Sequence, residues 1–299
     1  MDAVDGLAGL SAADKTEILV EALPYIRRFR NTVAVVKYGG NAMTASVGQG
    51  HADGDALALF AEDIALLRSV GMGMVVVHGG GPQIGDLMAR LGKVPEFVDG
   101  LRVTDAETLD IARMVLVGKV NRDIVSALNL HDTPAVGVSG EDAGLLRARA
   151  RSAELGFVGD IDEVRPAILE RLLNEEIVPV VATIGADDAG QAFNINADTA
   201  AGAIATALGA EKLVYLTDVE GLWGRAGDPG SVLSTASVEQ AEAMIEAGTV
   251  TAGMVPKIDS CVRAVRAGVG HAHILDGRVP HVLLLEIFTN SGIGTMISA

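Results

Sequence analysis

The chain predicts an α/β fold: an open, mostly parallel β-sheet sandwiched by helices, in two lobes, with a kinked helix at the N-terminus. Three observations carry this expectation. Short β-branched runs, beginning at residues 33–37 and 74–78, alternate with alanine-rich stretches of helical period, the pattern of buried parallel strands and their crossover helices. Glycine-rich turns, Gly39-Gly40 and Gly79-Gly80-Gly81, directly follow the first two runs. Finally, 299 residues, 49% of them hydrophobic and 21% charged, are enough for one or two domains whose core needs no covalent staple.

The elements follow in order. Ser11 is placed to cap a helix with Asp14 in its first turn, and Ile18, Ala22, Tyr25 and Phe29 fall on one stripe at helical spacing. Pro24 should kink that helix, which either packs on its own domain or serves as an arm offered to another subunit. Residues 56–70 carry Leu57, Phe60, Ile64 and Leu67, a crossover helix of the length a βαβ unit needs. Further strands are expected at 134–138, 177–184, 212–217 and 281–287, and further helices at 198–208, 238–246 and 257–267. Residues 145–162 and 219–234, punctuated by glycines, are expected to be hairpins or excursions from the sheet. The turn cluster at 187–191 is taken as a lobe boundary. The expected division is an oligomerisation helix at 1–30, a first lobe at 31–188 and a second at 189–299.

Composition excludes several classes. Lys and Arg number 23 against 39 Asp and Glu, a net charge of −16 that repels phosphate backbones over its long-range field, so no nucleic-acid partner is expected. A small anion is still acceptable, because a few lysines and a helix N-terminus can make a positive pocket in an acidic protein. The single cysteine, Cys261, permits no internal disulfide and no structural zinc site. Asp2 and Asp5 stand where an export signal would be basic, and no run of about 18 apolar residues occurs. These features set the expectation of a cytoplasmic protein without a membrane partner.

Two clusters carry the chemistry. Lys37-Tyr38-Gly39-Gly40-Asn41 follows the first strand, and ligands of parallel sheets bind at the carboxyl edge of the strands. A lysine there is ordinarily just solvated, but two following glycines let backbone N–H groups approach an anion. His78-Gly79-Gly80-Gly81-Pro82-Gln83 repeats the arrangement at the start of a helix, with proline suited to its first turn. Neither cluster is the phosphate loop G-x-x-x-x-G-K-[ST] or the dinucleotide turn G-x-G-x-x-G. His78 is assigned no acid or base role.

Three later signals complete the pattern: Gly100-Leu101-Arg102-Val103-Thr104, Asn194-Ile195-Asn196-Ala197-Asp198, and Gly253-Met254-Val255-Pro256-Lys257. Together with the two glycine turns and Leu216-Thr217-Asp218-Val219, the chain resembles the amino acid kinase family from residue 33 to residue 297, and most closely its branch that phosphorylates N-acetyl-L-glutamate. The resemblance implies the amino acid kinase fold and transfer of a phosphoryl group from ATP, with Mg²⁺, to the γ-carboxylate of that substrate. The products would be N-acetyl-L-glutamyl 5-phosphate and ADP, in the second step of arginine biosynthesis.

By the same resemblance, Lys37 and Lys257 hold the transferring phosphoryl group from opposite sides and Asp198 orients both. Gly80, Gly81, Arg102 and Asn194 bind N-acetyl-L-glutamate, while Gly39, Gly40, Thr217, Asp218 and Met254 fall where the family holds ATP. The N-terminal helix implies a homo-hexamer, a trimer of dimers inhibited by L-arginine, with His273, Glu286 and Gly292 at the arginine site and Tyr25, Ile26 and Phe29 pairing with a neighbouring arm.

The physics of the reaction is compatible with these roles. Phosphoryl transfer is mostly positioning and charge neutralisation, and a carboxylate acceptor is already ionised near neutral pH, so no general base is required. A guanidinium such as Arg102 grips a carboxylate bidentately. Residue type alone also allows Arg102 to be a surface arginine, Asp198 an acidic helix cap, and Glu286 a solvated charge. The rival readings are a kinase for glutamate, aspartate or carbamate, a sensor that does not turn over, and a dinucleotide oxidoreductase. The last lacks both the glycine spacing and the acidic ribose reader.

Overall fold

In the computed structural model, residues 11–39, 55–225, 228–250, 253–289 and 293–299 are described. Gly40 and Gly292 therefore lie outside the described residues. The chain runs α1 (Ala12–Phe29), β1 (Val33–Tyr38), α2 (Asp55–Ser69), β2 (Gly73–His78), α3 (Gly81–Arg90), the short strands β3 (Phe97–Val98) and β4 (Leu101–Arg102), and α4 (Ala106–Arg113). A π-helical turn, Met114–Val120, joins α4 to α5 (Asn121–Leu130). Then come β5 (Ala135–Ser139), β6 (Leu146–Ala150), β7 (Val158–Val164), α6 (Ala167–Asn174), β8 (Val178–Ala182), β9 (Ile184–Ala186), β10 (Ala192–Ile195) and α7 (Ala197–Ala207). The last elements are β11 (Lys212–Thr217), β12 (Thr235–Ser237), α8 (Val238–Glu246), α9 (Val255–Arg266), β13 (His271–Asp276), α10 (Val282–Phe288) and β14 (Thr295–Ser298).

Eight strands form one sheet in the order β12-β14-β13-β11-β1-β2-β8-β5. Its pairs are parallel except β13 with β14. Successive residues of a strand point to opposite faces, and the core divides accordingly. Ala34, Val36 and Tyr38 pack with α2 on one face, whereas Val35 and Tyr215 pack with α7 and α9 on the other. The expected open, mostly parallel sheet between helices is thus the observed architecture. A small closed barrel, β10-β7-β6-β9, stands beside it.

The expected excursion at 145–162 contains the antiparallel pair β6–β7, and the turn at 187–191 closes the antiparallel pair β9–β10. The run at 177–184 divides into β8 and β9 at Thr183. Two expectations are corrected. Residues 281–287 are not a strand but lie largely in α10: four consecutive apolar residues do not distinguish strand from helix, and the Leu283 N–H is taken by the Asp63 carboxylate of α2, which anchors the helix start. The strand of this region is β13, just before it. Secondly, Phe29 is 4% exposed and belongs to the chain's own core, so it is not free to pair with a neighbour. The exposed apolar side of α1 is Leu19, Val20 and Leu23. That helix runs as one element through Pro24, with the expected Ser11 cap closed into a capping box by Asp14.

Candidate functional site

The carboxyl ends of β1, β2 and β11 meet the start of α7, and the lysines converge there. Lys37 points to the face covered by α7 and α9. Its Nζ lies 2.9 Å from Asp198 Oδ1, and Lys257 Nζ donates to Asp198 Oδ2 at 2.8 Å. All three side chains are largely withdrawn from solvent. Burial raises the Asp198 carboxyl, but the Lys37 and Lys257 ammoniums outweigh burial and hold it below its ordinary value. One carboxylate therefore bridges two cations contributed by β1 and α9, and the trio carries net positive charge in a protein that is acidic overall.

Asp198 is free for this because Asn196 performs the capping. Its Oδ1 accepts from the N–H groups of Asp198 and Thr199, so the aspartate itself is not the helix cap. Gly39 leaves the lysine room: a Cβ there would stand 2.8 Å from the Leu216 carbonyl and 3.1 Å from Lys37 Nζ.

Beside the trio opens a cavity of about 210 Å³ lined by Gly79, Gly80, Gly81, Arg102, Asn194, Asn196 and Ala197. The structure thus brings together every residue expected at the substrate position. Gly80 caps α3, and its missing side chain is required, since a Cβ would lie 2.7 Å from Leu116 Cδ2 on the π turn. Arg102 reaches the cavity from β4, where its guanidinium lies over the Phe97 ring and donates to the Gly81 carbonyl at 3.0 Å. Asn194 Nδ2 is 3.4 Å from Thr104 Oγ1. Backbone N–H groups at the start of a helix, an arginine and an amide suit a small carboxylate that also carries an amide.

His78, buried below this turn, faces the Gly79 carbonyl with Nδ1 at 2.9 Å and the Asn121 amide nitrogen with Nε2 at 3.2 Å. A donating Nδ1–H and an accepting Nε2 fit the neutral ring, and burial lowers its pKa to about 4. It supports the turn and does not exchange protons.

On the other side of the lysines, Thr217 ends β11, with its hydroxyl 3.2 Å from Asp218 Oδ1, and Met254 opens α9. Gly39, Thr217, Asp218 and Met254 therefore border the two lysine-bearing elements. Further away, His273 of β13 and Glu286 of α10 meet at 2.9 Å, and Lys212 Nζ lies 3.1 Å from His273 Nε2. Burial raises the Glu286 carboxyl, but the hydrogen bond and charge of His273, together with Lys212, hold it below its ordinary value. Lys212, Tyr215 and Ser260 are not singled out by the sequence, and Asn196 is named there within the Asn194–Asp198 motif but given no capping role. The signal for that capping role is an asparagine just before an alanine-rich helix.

A model of the amino acid kinase family matches residues 32–276. An acetylglutamate kinase of Symbiobacterium thermophilum is 51% identical over 295 residues, 96% of this chain and 98% of that protein. Among solved structures, N-acetylglutamate synthase from Neisseria gonorrhoeae, complexed with coenzyme A and N-acetyl-glutamate, gives a TM-score of 0.82 at 30% identity over 95% of this chain. This chain spans 63% of that longer one. The same synthase complexed with coenzyme A and L-arginine gives 0.78 at 28% identity, over 95% of this chain and 65% of that one. Matched by the family model from β1 to the end of β13, and aligned almost end to end with a kinase relative, the chain belongs to the amino acid kinase family.

Proposed function

We propose that this kinase transfers the γ-phosphoryl group of ATP to the γ-carboxylate of N-acetyl-L-glutamate, giving N-acetyl-L-glutamyl 5-phosphate and ADP for arginine biosynthesis. The observation that carries this reading is the Lys37–Asp198–Lys257 bridge beside the cavity of Arg102 and Asn194. The identity shared with acetylglutamate kinases supports the choice of acceptor. Arg102 and the N–H groups at the start of α3 would take the α-carboxylate, and Asn194 the acetamido group. The γ-carboxylate would then face the lysines.

The acceptor oxygen forms its bond to the γ-phosphorus as the bond to the β–γ bridging oxygen breaks. Lys37 and Lys257 neutralise charge on the transferring group from two sides, with no covalent intermediate and no base. Asp198 keeps both lysines aimed. Gly39, Gly40, Thr217, Asp218 and Met254 would hold the nucleotide. Among the described residues no group of three or more His, Cys, Asp or Glu side chains converges. Mg²⁺ would therefore be held chiefly by the phosphates and its own waters, where it supplies further positive charge.

The same reading assigns residues 31–188 to the acetylglutamate side and 189–299 to the nucleotide and arginine side. In support, β1, β2, β5 and β8 form one half of the large sheet and β11 to β14 the other. L-Arginine would inhibit by placing its guanidinium on Glu286 beside His273, with Gly292 completing the site. The charge of the Glu286 carboxylate favours this, as does the synthase relative solved with L-arginine. Leu19, Val20 and Leu23 on α1 offer apolar area for a hexamer of three dimers through residues 1–30. No helix among the described residues is long and apolar enough to cross a membrane, which is consistent with a cytoplasmic enzyme.

Coupled ADP release tests the assignment. N-acetylglutamate should sustain turnover, and free glutamate, aspartate and carbamate should not. Turnover with one of those alone would overturn it.

A further inference from the structure

Behind the catalytic aspartate lies a polar pair for which the proposed chemistry has no use. Tyr215 on β11 and Ser260 on α9 are both buried, at 0% and 4% exposure, among otherwise apolar side chains. The Tyr215 hydroxyl lies 2.7 Å from Ser260 Oγ and 3.0 Å from the Asp198 backbone carbonyl, and Ser260 Oγ donates to the same carbonyl at 3.0 Å. Burial raises the Tyr215 phenol well above its ordinary value, so it remains a donor.

The pair joins three elements at the points where they carry the reacting groups. Tyr215 is the direct strand neighbour of Lys37. Ser260 follows Lys257 by three residues, on the same side of α9. The accepted carbonyl belongs to Asp198 itself. The crossing of α7 and α9 is close here because residue 202 is glycine: a Cβ on Gly202 would lie 2.3 Å from Ser260 Oγ and 3.4 Å from the Tyr215 hydroxyl. Gly202 is one turn beyond Asp198. A glycine inside a helix disfavours that helix relative to alanine, and here it permits the contact.

We propose that Tyr215 and Ser260 are positioning residues for phosphoryl transfer, clamping the backbone of Asp198 so that its carboxylate spans Lys37 and Lys257, with Gly202 setting the spacing of the clamp. This rests on the proposed kinase reading. Without the clamp, α7 and α9 remain packed through Ala201, Ala205, Ile258 and Cys261, and the two lysines lose their common fixed point.

The test compares wild type with Tyr215→Phe, Ser260→Ala, the double variant and Gly202→Ala, measuring kcat, KM for N-acetylglutamate and Tm. The expected fall in kcat is roughly tenfold for each single loss and about a hundredfold for the pair, the scale at which misplacement of reacting groups acts. KM should stay within about twofold, because Arg102 and Asn194 lie outside the clamp. Gly202→Ala removes no hydrogen-bonding group but drives a Cβ against Ser260 Oγ, so its kcat and Tm should fall together. Tyr215→Phe is the decisive variant: it removes only the hydroxyl, so kcat should fall by more than its change in Tm explains. Unchanged kcat in all four variants, or a loss in Tyr215→Phe that only tracks a falling Tm, would overturn the proposal. If wild type itself does not phosphorylate N-acetylglutamate, the kinase reading fails first, on that control alone, and the clamp falls with it.

Discussion

Lowering the pH should destabilise this protein in part through the buried His78. His78 is fully buried with its Nε2 accepting from Asn121, and its pKa is lowered to about 4, against about 6.5 in the unfolded chain. Between those values the unfolded chain binds the proton and the folded one does not. Stability contributed by the neutral ring is therefore complete above pH 6.5 and is lost as pH falls toward 4. The shift of about 2.5 units corresponds to roughly 3 kcal/mol in full, of which about 2 kcal/mol is lost between pH 7.5 and 5.

His78→Asn removes the titration while retaining a donor toward the Gly79 carbonyl. Urea unfolding of both proteins from pH 7.5 to pH 5 should show wild type losing about 2 kcal/mol more than the variant. Absolute stabilities do not enter, because the comparison is of slopes. Parallel pH dependences would refute the neutral, buried histidine and with it the account of what shapes the glycine turn.

Other outcomes follow from the site. Arg102→Ala should raise KM for N-acetylglutamate about tenfold or more with a smaller change in kcat, as expected for a group that grips a non-reacting carboxylate in ground and transition states alike. An unchanged KM would remove Arg102 from the site. Glu286→Ala should abolish L-arginine inhibition while ADP release without arginine stays near wild type and light scattering still shows the hexamer. Deleting residues 1–30 should instead yield active dimers with weakened inhibition, and a truncated enzyme that is still hexameric and fully inhibited would sink the role given to α1.

How much of this was legible in the sequence differs from element to element. Strands β1, β2 and β11 are unbroken apolar runs closed by a turn, and the glycine turns after β1 and β2 marked the carboxyl edge where Lys37 and Gly80 stand. Strand β13 is hidden in the sequence because His271, His273 and Asp276 interrupt its apolar pattern, although His273 and Asp276 are buried in the fold. The helix α10 reads as a strand in the sequence because an apolar run carries no period, and the Asp63 carboxylate that anchors it comes from far earlier in the chain. The role of Asp198 was visible only through the family resemblance; by position alone it looked like a cap, which Asn196 supplies. Tyr215 and Ser260 lie 45 residues apart on different elements. Their conjunction exists only after β11 and α9 have packed against α7.

Trapping the product tests the central claim most directly. With ATP, Mg²⁺, N-acetyl-L-glutamate and hydroxylamine, an acyl phosphate is captured as a hydroxamate. Wild type should form hydroxamate in step with ADP, whereas Lys37→Ala and Lys257→Ala should each lower that rate by about two orders of magnitude at unchanged Tm, because each removes preorganised charge from the transition state. ADP without hydroxamate, or either lysine variant turning over at the wild-type rate, would contradict the account.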